Sequence, residues 1–149
     1  MAHCISALIA KAPIDMDVAQ GFDLPVFIQN GFAIVALFPE HCDRWAEQLN
    51  LPHEGRSDIL LDCPVTHAFA RRLGLENYAL IETNYFGGIG EQWAAVYRGG
   101  EVRMAPTKGG INAALEVLGV ERQPGLDEFD TIGLGHHRSF DGLFEKYWR

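Results

Sequence analysis

Three cysteines in 149 residues, none of them in a CxxC pair, are too few for a disulfide framework. Cys4, Cys42 and Cys63 therefore read as reduced thiols. Each has a histidine close by (His3, His41 and His67), but none of these pairs has a recognised metal-ligand spacing, so no metal site is assigned. No apolar run approaches the roughly 20 residues that span a bilayer, which points away from a membrane helix. The apolar N-terminal stretch has no basic region before it, so it reads as a first strand rather than a signal peptide, and the expected location is the cytoplasm. There is no GxSxG elbow, no HExxH helix and no Walker loop. Basic residues are also short: 12 Lys and Arg stand against 20 Asp and Glu, a formal net charge of −8. Direct binding to nucleic acid needs cations to displace phosphate counterions and is disfavoured. A basic protein partner is favoured instead, because acidic charge speeds that encounter.

The residues that are present describe an ordinary folded chain. Hydrophobic residues make up 48% and charged residues 21%. No repeat, low-complexity tract or linker divides the sequence, so residues 1–149 read as one domain. Cys4–Ala10 reads as a strand, and Asn30-Gly31 joins Val26–Gln29 to Phe32–Phe38 as a hairpin. Pro39 opens a helix with Cys42, Trp45, Ala46 and Leu49 on one face. "SDILLDC" reads as a short strand, and Pro64 opens a second helix that stops at Gly74. Tyr78–Phe86, Glu91–Arg98 and Glu101–Met104 form a meander turned by "GGIG" and by Gly99-Gly100. A third helix carries Ile111, Ala114, Leu115 and Leu118 and ends at Gly119. The tail holds too many apolar groups to be disordered, and Phe140–Trp148 reads as a terminal helix. The sum is an α+β fold: a mostly antiparallel sheet of about seven short strands, with three or four helices on one side or at the ends.

Three stretches could bear function. "ETNYFGGIGEQW" holds Gly87, Gly88 and Gly90. A phosphate-binding glycine loop must open a helix, whereas here strand residues follow and Glu91 would repel phosphate, so the loop reads as a hairpin turn. It can still be a contact surface, since loops on rigid sheets often bear function. "GLGHHRS" offers His136 and His137 as general bases and Arg138 as an anion grip. An enzyme, a hydrolase or transferase, would bring Glu91, His136, His137 and Arg138 into one concave pocket. "DEFD" groups Asp127, Glu128 and Asp130 around Phe129, which reads as a core anchor inside a solvated turn or an acidic patch. No cofactor is implied by any of these.

"TNYFGGIGEQWAAVY", then "INAALEVLGV", then "DEFDTIGLGHHRS" resembles a pattern in small bacterial immunity proteins, which are encoded beside secreted polymorphic toxins. The resemblance covers about the last 70 residues. It implies a cytoplasmic single-domain protein that binds one cognate toxin and blocks its active site, with no catalytic residues of its own. On this reading Glu91, Asp127, Glu128 and Asp130 face a basic cleft of the toxin domain, Gln92 lies beside them, and Tyr85 or Trp93 supplies an aromatic anchor. Two further readings stand beside it. One is the enzyme above. The other is a phage-encoded or host-factor interaction protein. Exposed aromatic residues would also serve a homodimer as readily as a foreign partner.

Overall fold

The computed structural model describes residues 2–148. Seven strands form one antiparallel sheet. They are β1 (Ala2–His3), β2 (Ser6–Lys11), β3 (Val26–Gln29), β4 (Phe32–Leu37), β5 (Asn77–Phe86), β6 (Ile89–Arg98) and β7 (Glu101–Lys108). Their order is β3-β4-β2-β5-β6-β7, with β1 paired to the far end of β5. Among the described residues five α-helices join them: α1 (Met16–Gly21), α2 (Pro39–Gln48), α3 (Pro64–Arg72), α4 (Ile111–Leu118) and α5 (Glu128–Thr131). The α+β class and the antiparallel sheet agree with the sequence reading.

Both faces of the sheet are covered, so there are two cores. Side chains alternate along a strand, and each central strand feeds both. On one face Leu8, Val35, Leu80, Ala95 and Tyr97 meet α2 and α3 through Cys42, Ala46, Val65 and Phe69. On the other, Ile9, Ile34, Ile81 and Val96 meet α4 through Ile111, Ala114 and Leu115, and the C-terminal segment through Ile132, Leu134, Phe140 and Phe144. The expectation of helices on one side or at the ends is corrected here. Ala94 and Val96 are as fully buried as Ala95 and Tyr97, and a strand with two apolar faces needs two covers.

The hairpin turns follow the expected chemistry. Asn30 and Gly31 both have positive φ (51° and 81°), as do Gly87 and Gly88 (60° and 80°), the pattern of a two-residue turn matched to strand twist. The β5–β6 turn is thus two residues long, not four: Ile89 and Gly90 already pair with Phe86 and Tyr85. β7 runs on to Lys108, past the expected Met104.

Two other expectations fail. "SDILLDC" is not a strand, because its polar side chains tie the segment into a turn. Ser57 Oγ donates to Asp62 and accepts from Ile59 N, while Asp62 N donates to Ile59 O. Such local bonds compete with a strand ladder. The tail is two 3₁₀ turns, Asp141–Leu143 and Glu145–Tyr147, in place of one helix. Tyr147 is anchored by its hydroxyl to Asp23 at 2.7 Å, and Lys146 reaches the same carboxylate at 2.7 Å.

Gly90 is the tightest point of the hairpin. A Cβ there would lie 1.9 Å from the Asn84 carbonyl oxygen, whereas one at Gly87 would meet nothing within 4 Å. Gly87→Ala should cost about 1 kcal/mol, the ordinary penalty of a left-handed alanine. Gly90→Ala should cost roughly 3 kcal/mol or more, because backbone must move. Urea unfolding of the two variants checks the order.

Candidate functional site

Residues in the stretches that carry the resemblance hold segments together. Gln92 Oε1 accepts from Ile111 N at 2.8 Å and so satisfies a free N–H at the start of α4, while its backbone carbonyl takes Gly109 N at 2.7 Å. Asn112 on α4 reaches across to α5. Its Oδ1 accepts from Phe129 N at 2.9 Å, and its Nδ2 donates to Asp127 at 3.1 Å. Asp127 caps α5 by accepting from Asp130 N. Gly133 is bare because Gln29 packs on it, with Oε1 2.4 Å from where a Cβ would sit. The Leu134 carbonyl accepts from His3 Nε2 at 3.0 Å, and His3 Nδ1 bonds Thr83 Oγ1 at 2.7 Å. The pattern is thus a set of clasps that closes the second core.

The remaining expected site residues fall in two places. Glu91 is exposed on β6, on the same face as Trp93. Trp93 Nε1 donates to it at 3.1 Å and Lys108 pairs with it at 3.2 Å, and these two bonds hold its carboxyl below the usual range. Trp93 is partly buried against the first core. Tyr85 points the other way along β5, opposite His3 of β1. Glu128 is buried and lies 4.0 Å from Arg122, and Asp130 is exposed. Asp127, Glu128 and Asp130 therefore belong to the second face, away from Glu91.

His136, His137 and Arg138 also lie on that second face. The His137 ring packs 4.4 Å from Phe27 and 5.9 Å from Phe140, and burial lowers its pKa, with smaller contributions from His136 and His3. The Arg138 carbonyl accepts from Cys4 N at 2.8 Å. The structure brings the three residues together with one another. Glu91, which an enzyme pocket would need, sits across the sheet.

A separate polar constellation was missed in the sequence. Asp62, at the end of the 57–62 turn, and His67, on α3, meet at 2.6 Å through Nε2. His67 Nδ1 bonds the Tyr78 hydroxyl at 2.6 Å. The other Asp62 oxygen accepts from Ser57 Oγ at 2.6 Å and from the Tyr97 hydroxyl. With Nε2–H donating to Asp62, the Nδ1 lone pair accepts the Tyr78 proton, and every donor has an acceptor. The signal available was the five-residue step from Asp62 to His67 across a helix start. The tyrosines come from β5 and β6, which no local pattern connects to it.

This carboxylate–imidazole–phenol chain looks like a proton relay, but it is nearly closed to solvent: only an edge of His67, 7% exposed, and of Tyr78 reaches a cavity of about 270 Å³. Asp62 is 0% exposed and Tyr78 1%. Burial raises the Tyr78 hydroxyl to about 12. Burial also opposes the Asp62 charge, yet the bonds from His67, Ser57 and Tyr97 outweigh it and bring its pKa to about 2. Both His67 nitrogens are occupied by buried partners, so neither is free for a substrate. The arrangement instead pins the 57–62 turn and α3 onto β5 and β6. Cys63, beside it, turns its thiol to Leu61 O and Thr66. Among the described residues no three His, Cys, Asp or Glu side chains group as metal ligands. No helix among them is long and apolar enough to cross a membrane.

The exposed end of the β5–β6 hairpin is different in kind. Phe86 and Ile89 pair across the turn on the face that also carries Glu82, Asn84 and Glu91. Phe86 is 61% exposed and Ile89 82%. Leu60, 66% exposed, lies farther back along the strand, where Leu60 N donates to Glu82 Oε1 at 2.9 Å. Two large apolar side chains and the Glu91 carboxylate thus share the exposed end of this face, with Glu82 half-buried behind them. The sequence reading placed the loop here but chose Tyr85 and Trp93 as anchors. Tyr85 and Trp93 are partly buried, whereas Phe86 and its cross-strand partner Ile89 are exposed.

In comparisons with known proteins, no family model and no solved structure matches this chain. One curated protein is similar: an ATP phosphoribosyltransferase of Lysinibacillus sphaericus (strain C3-41), 25% identical over 140 residues. The match covers 83% of this chain and 62% of that protein, so the chain spans less than two thirds of its relative's length.

Asp62 gives a test of the buried chain. Its folded pKa is depressed, so its contribution is complete above about pH 4 and is lost as pH falls toward 2; the shift corresponds to roughly 2 kcal/mol. Asp62→Asn should lower stability by roughly 2–4 kcal/mol at pH 7, since it leaves buried donors poorly matched. It should also flatten the acid limb of a denaturation-midpoint profile between pH 4 and pH 2.

Proposed function

We propose that this protein is a small acidic binding protein of the immunity type, which neutralises a cognate bacterial toxin by covering its active site. The observation that supports it is the hairpin end, where Phe86 and Ile89 stand in solvent above Glu82 and Glu91 in a chain of net charge −8. Exposed apolar side chains grouped on a rigid sheet are typical of an interaction site. Aromatic and aliphatic anchors supply most of the affinity of such an interface, and the carboxylates around them steer a basic partner. The mechanism is occlusion: the hairpin enters or caps a basic cleft, and no bond is made or broken. The partner is a basic toxin domain, and the location is the cytoplasm, where a toxin would meet its target.

The reading assigns contact roles to Phe86, Ile89, Glu82 and Glu91, with Trp93 as their support. Asp127, Glu128 and Asp130 keep a structural part in the clasp between α4 and α5. The exposed hairpin could also join two copies of this chain, and that outcome shows directly in solution mass.

Co-expression with the product of the adjacent gene tests the proposal. That product alone should arrest growth, and this chain should restore it. Phe86→Ser with Ile89→Ser should lose rescue while its unfolding midpoint stays close to that of the parent, as both side chains are exposed. An adjacent product that is harmless alone in the same host sinks the reading. Rescue that survives the double substitution moves the contact elsewhere.

A further inference from the structure

The opposite end of the sheet has the reverse charge. Two cavities adjoin there, of about 410 Å³ and about 270 Å³, and share Gly74, Leu75 and Glu76 as a common lip. Lys11 and Arg103 line the larger one, and Arg71 lines the smaller. These cations come from three separate elements: the last residue of β2, the last turn of α3, and β7. Among the described residues none of the three has a carboxylate within ion-pairing distance. Glu76 is the one carboxylate in either lining, and Arg98 already holds it at 3.6 Å. Leu75, Val117 and Leu118 give the larger cavity an apolar wall.

Helix ends account for part of this charge. Lys11 lies against Gly119 at the end of α4, its Nζ 3.3 Å from where a Cβ would be, and Arg71 sits in the last turn of α3. Each helix end is worth about half a negative charge, so two of them offset roughly one of the three cations. Arg103 comes from β7 and lines the same cavity as Lys11. Its guanidinium is steered by Asn77, which accepts from Nη1 at 3.3 Å. The surplus is positive in a chain whose total is strongly negative. Like charge elsewhere repels a polyanion from the rest of the surface and leaves this groove as its seat.

We propose that the paired cavities bind a small ligand carrying two phosphate-type groups. One group sits between Lys11 and Arg103, the other reaches Arg71 across the lip, and any apolar portion lies on Leu75 and Val117. The site is independent of the hairpin. β5 alone separates the two by its length, roughly 30 Å for ten extended residues.

The test is calorimetric titration of the full chain with inorganic pyrophosphate and, in a second arm, with ADP. Both should bind, and affinity should fall as sodium chloride is raised. Tighter binding of ADP assigns the apolar wall to a nucleoside; equal binding assigns the site to a free diphosphate. Arg103→Gln and Lys11→Gln should each weaken binding about tenfold, the scale of one charge-assisted contact. Glu76→Gln should tighten it by about threefold, on the same scale, through loss of a repelling charge. A gain of affinity cannot come from a damaged fold, so this variant keeps the outcome readable. Absence of heat with both ligands at millimolar concentration overturns the proposal. So does binding that ignores all three substitutions.

Discussion

The central strands have no solvent face, and the rest of the molecule is arranged around that fact. Ala7, Leu8 and Ile9, Ala33 to Ala36, Ala79 to Ile81 and Ala94 to Val96 are all buried. A strand with both rows of side chains out of water must be covered twice. α2, α3 and the 57–62 turn make one cover. α4, α5 and the C-terminal turns make the other. Each cover brings backbone and polar groups into a low-dielectric interior, where they must be paired. Asp62 with His67, Tyr78 and Tyr97 meets this need on the first face. Gln92, Asn112, Asp127 and the His3–Thr83 pair meet it on the second. The Asp62–His67–Tyr78 chain and the clasps around α4 both answer the same packing need.

With both faces used for folding, the strand ends and the turns are what the sheet leaves exposed. The hairpin end of β5 and β6 has apolar side chains with carboxylates, and the start of β5 has a groove with surplus cations. Rigid strands link the two, so a ligand at one end meets a surface already fixed by the core. This is the usual economy of loops held on a sheet. It also explains why His136, His137 and Arg138 do not assemble with Glu91. They lie on opposite sides of a two-sided sheet, and no local rearrangement of a turn carries a side chain through it.

Residues near in sequence were readable. The Asn30-Gly31 and Gly99-Gly100 hairpins, the proline-led helices α2 and α3, and the stripe of α4 with its Gly119 stop follow from backbone preference and periodicity. Those causes act within a few residues. "SDILLDC" misled because its burial does alternate, with Ile59 and Leu61 buried and Leu60 exposed, yet Ser57 and Asp62 close a turn around it. The length of the glycine turn was misjudged because Gly90 serves close backbone approach inside the strand and takes no part in turning.

The sequence by itself determined the class, the antiparallel meander and the acidic character, because composition, turn chemistry and apolar spacing act locally and survive any arrangement of the elements. Tertiary structure alone decided which residues meet. Asp62 and Tyr97 are 35 positions apart and His3 and Leu134 are 131 apart. Their pairing depends on strand order and on which face each row takes. A one-residue change of register would have sent Phe86 and Ile89 to the opposite face of the sheet. Only the folded sheet could place them in solvent beside Glu91.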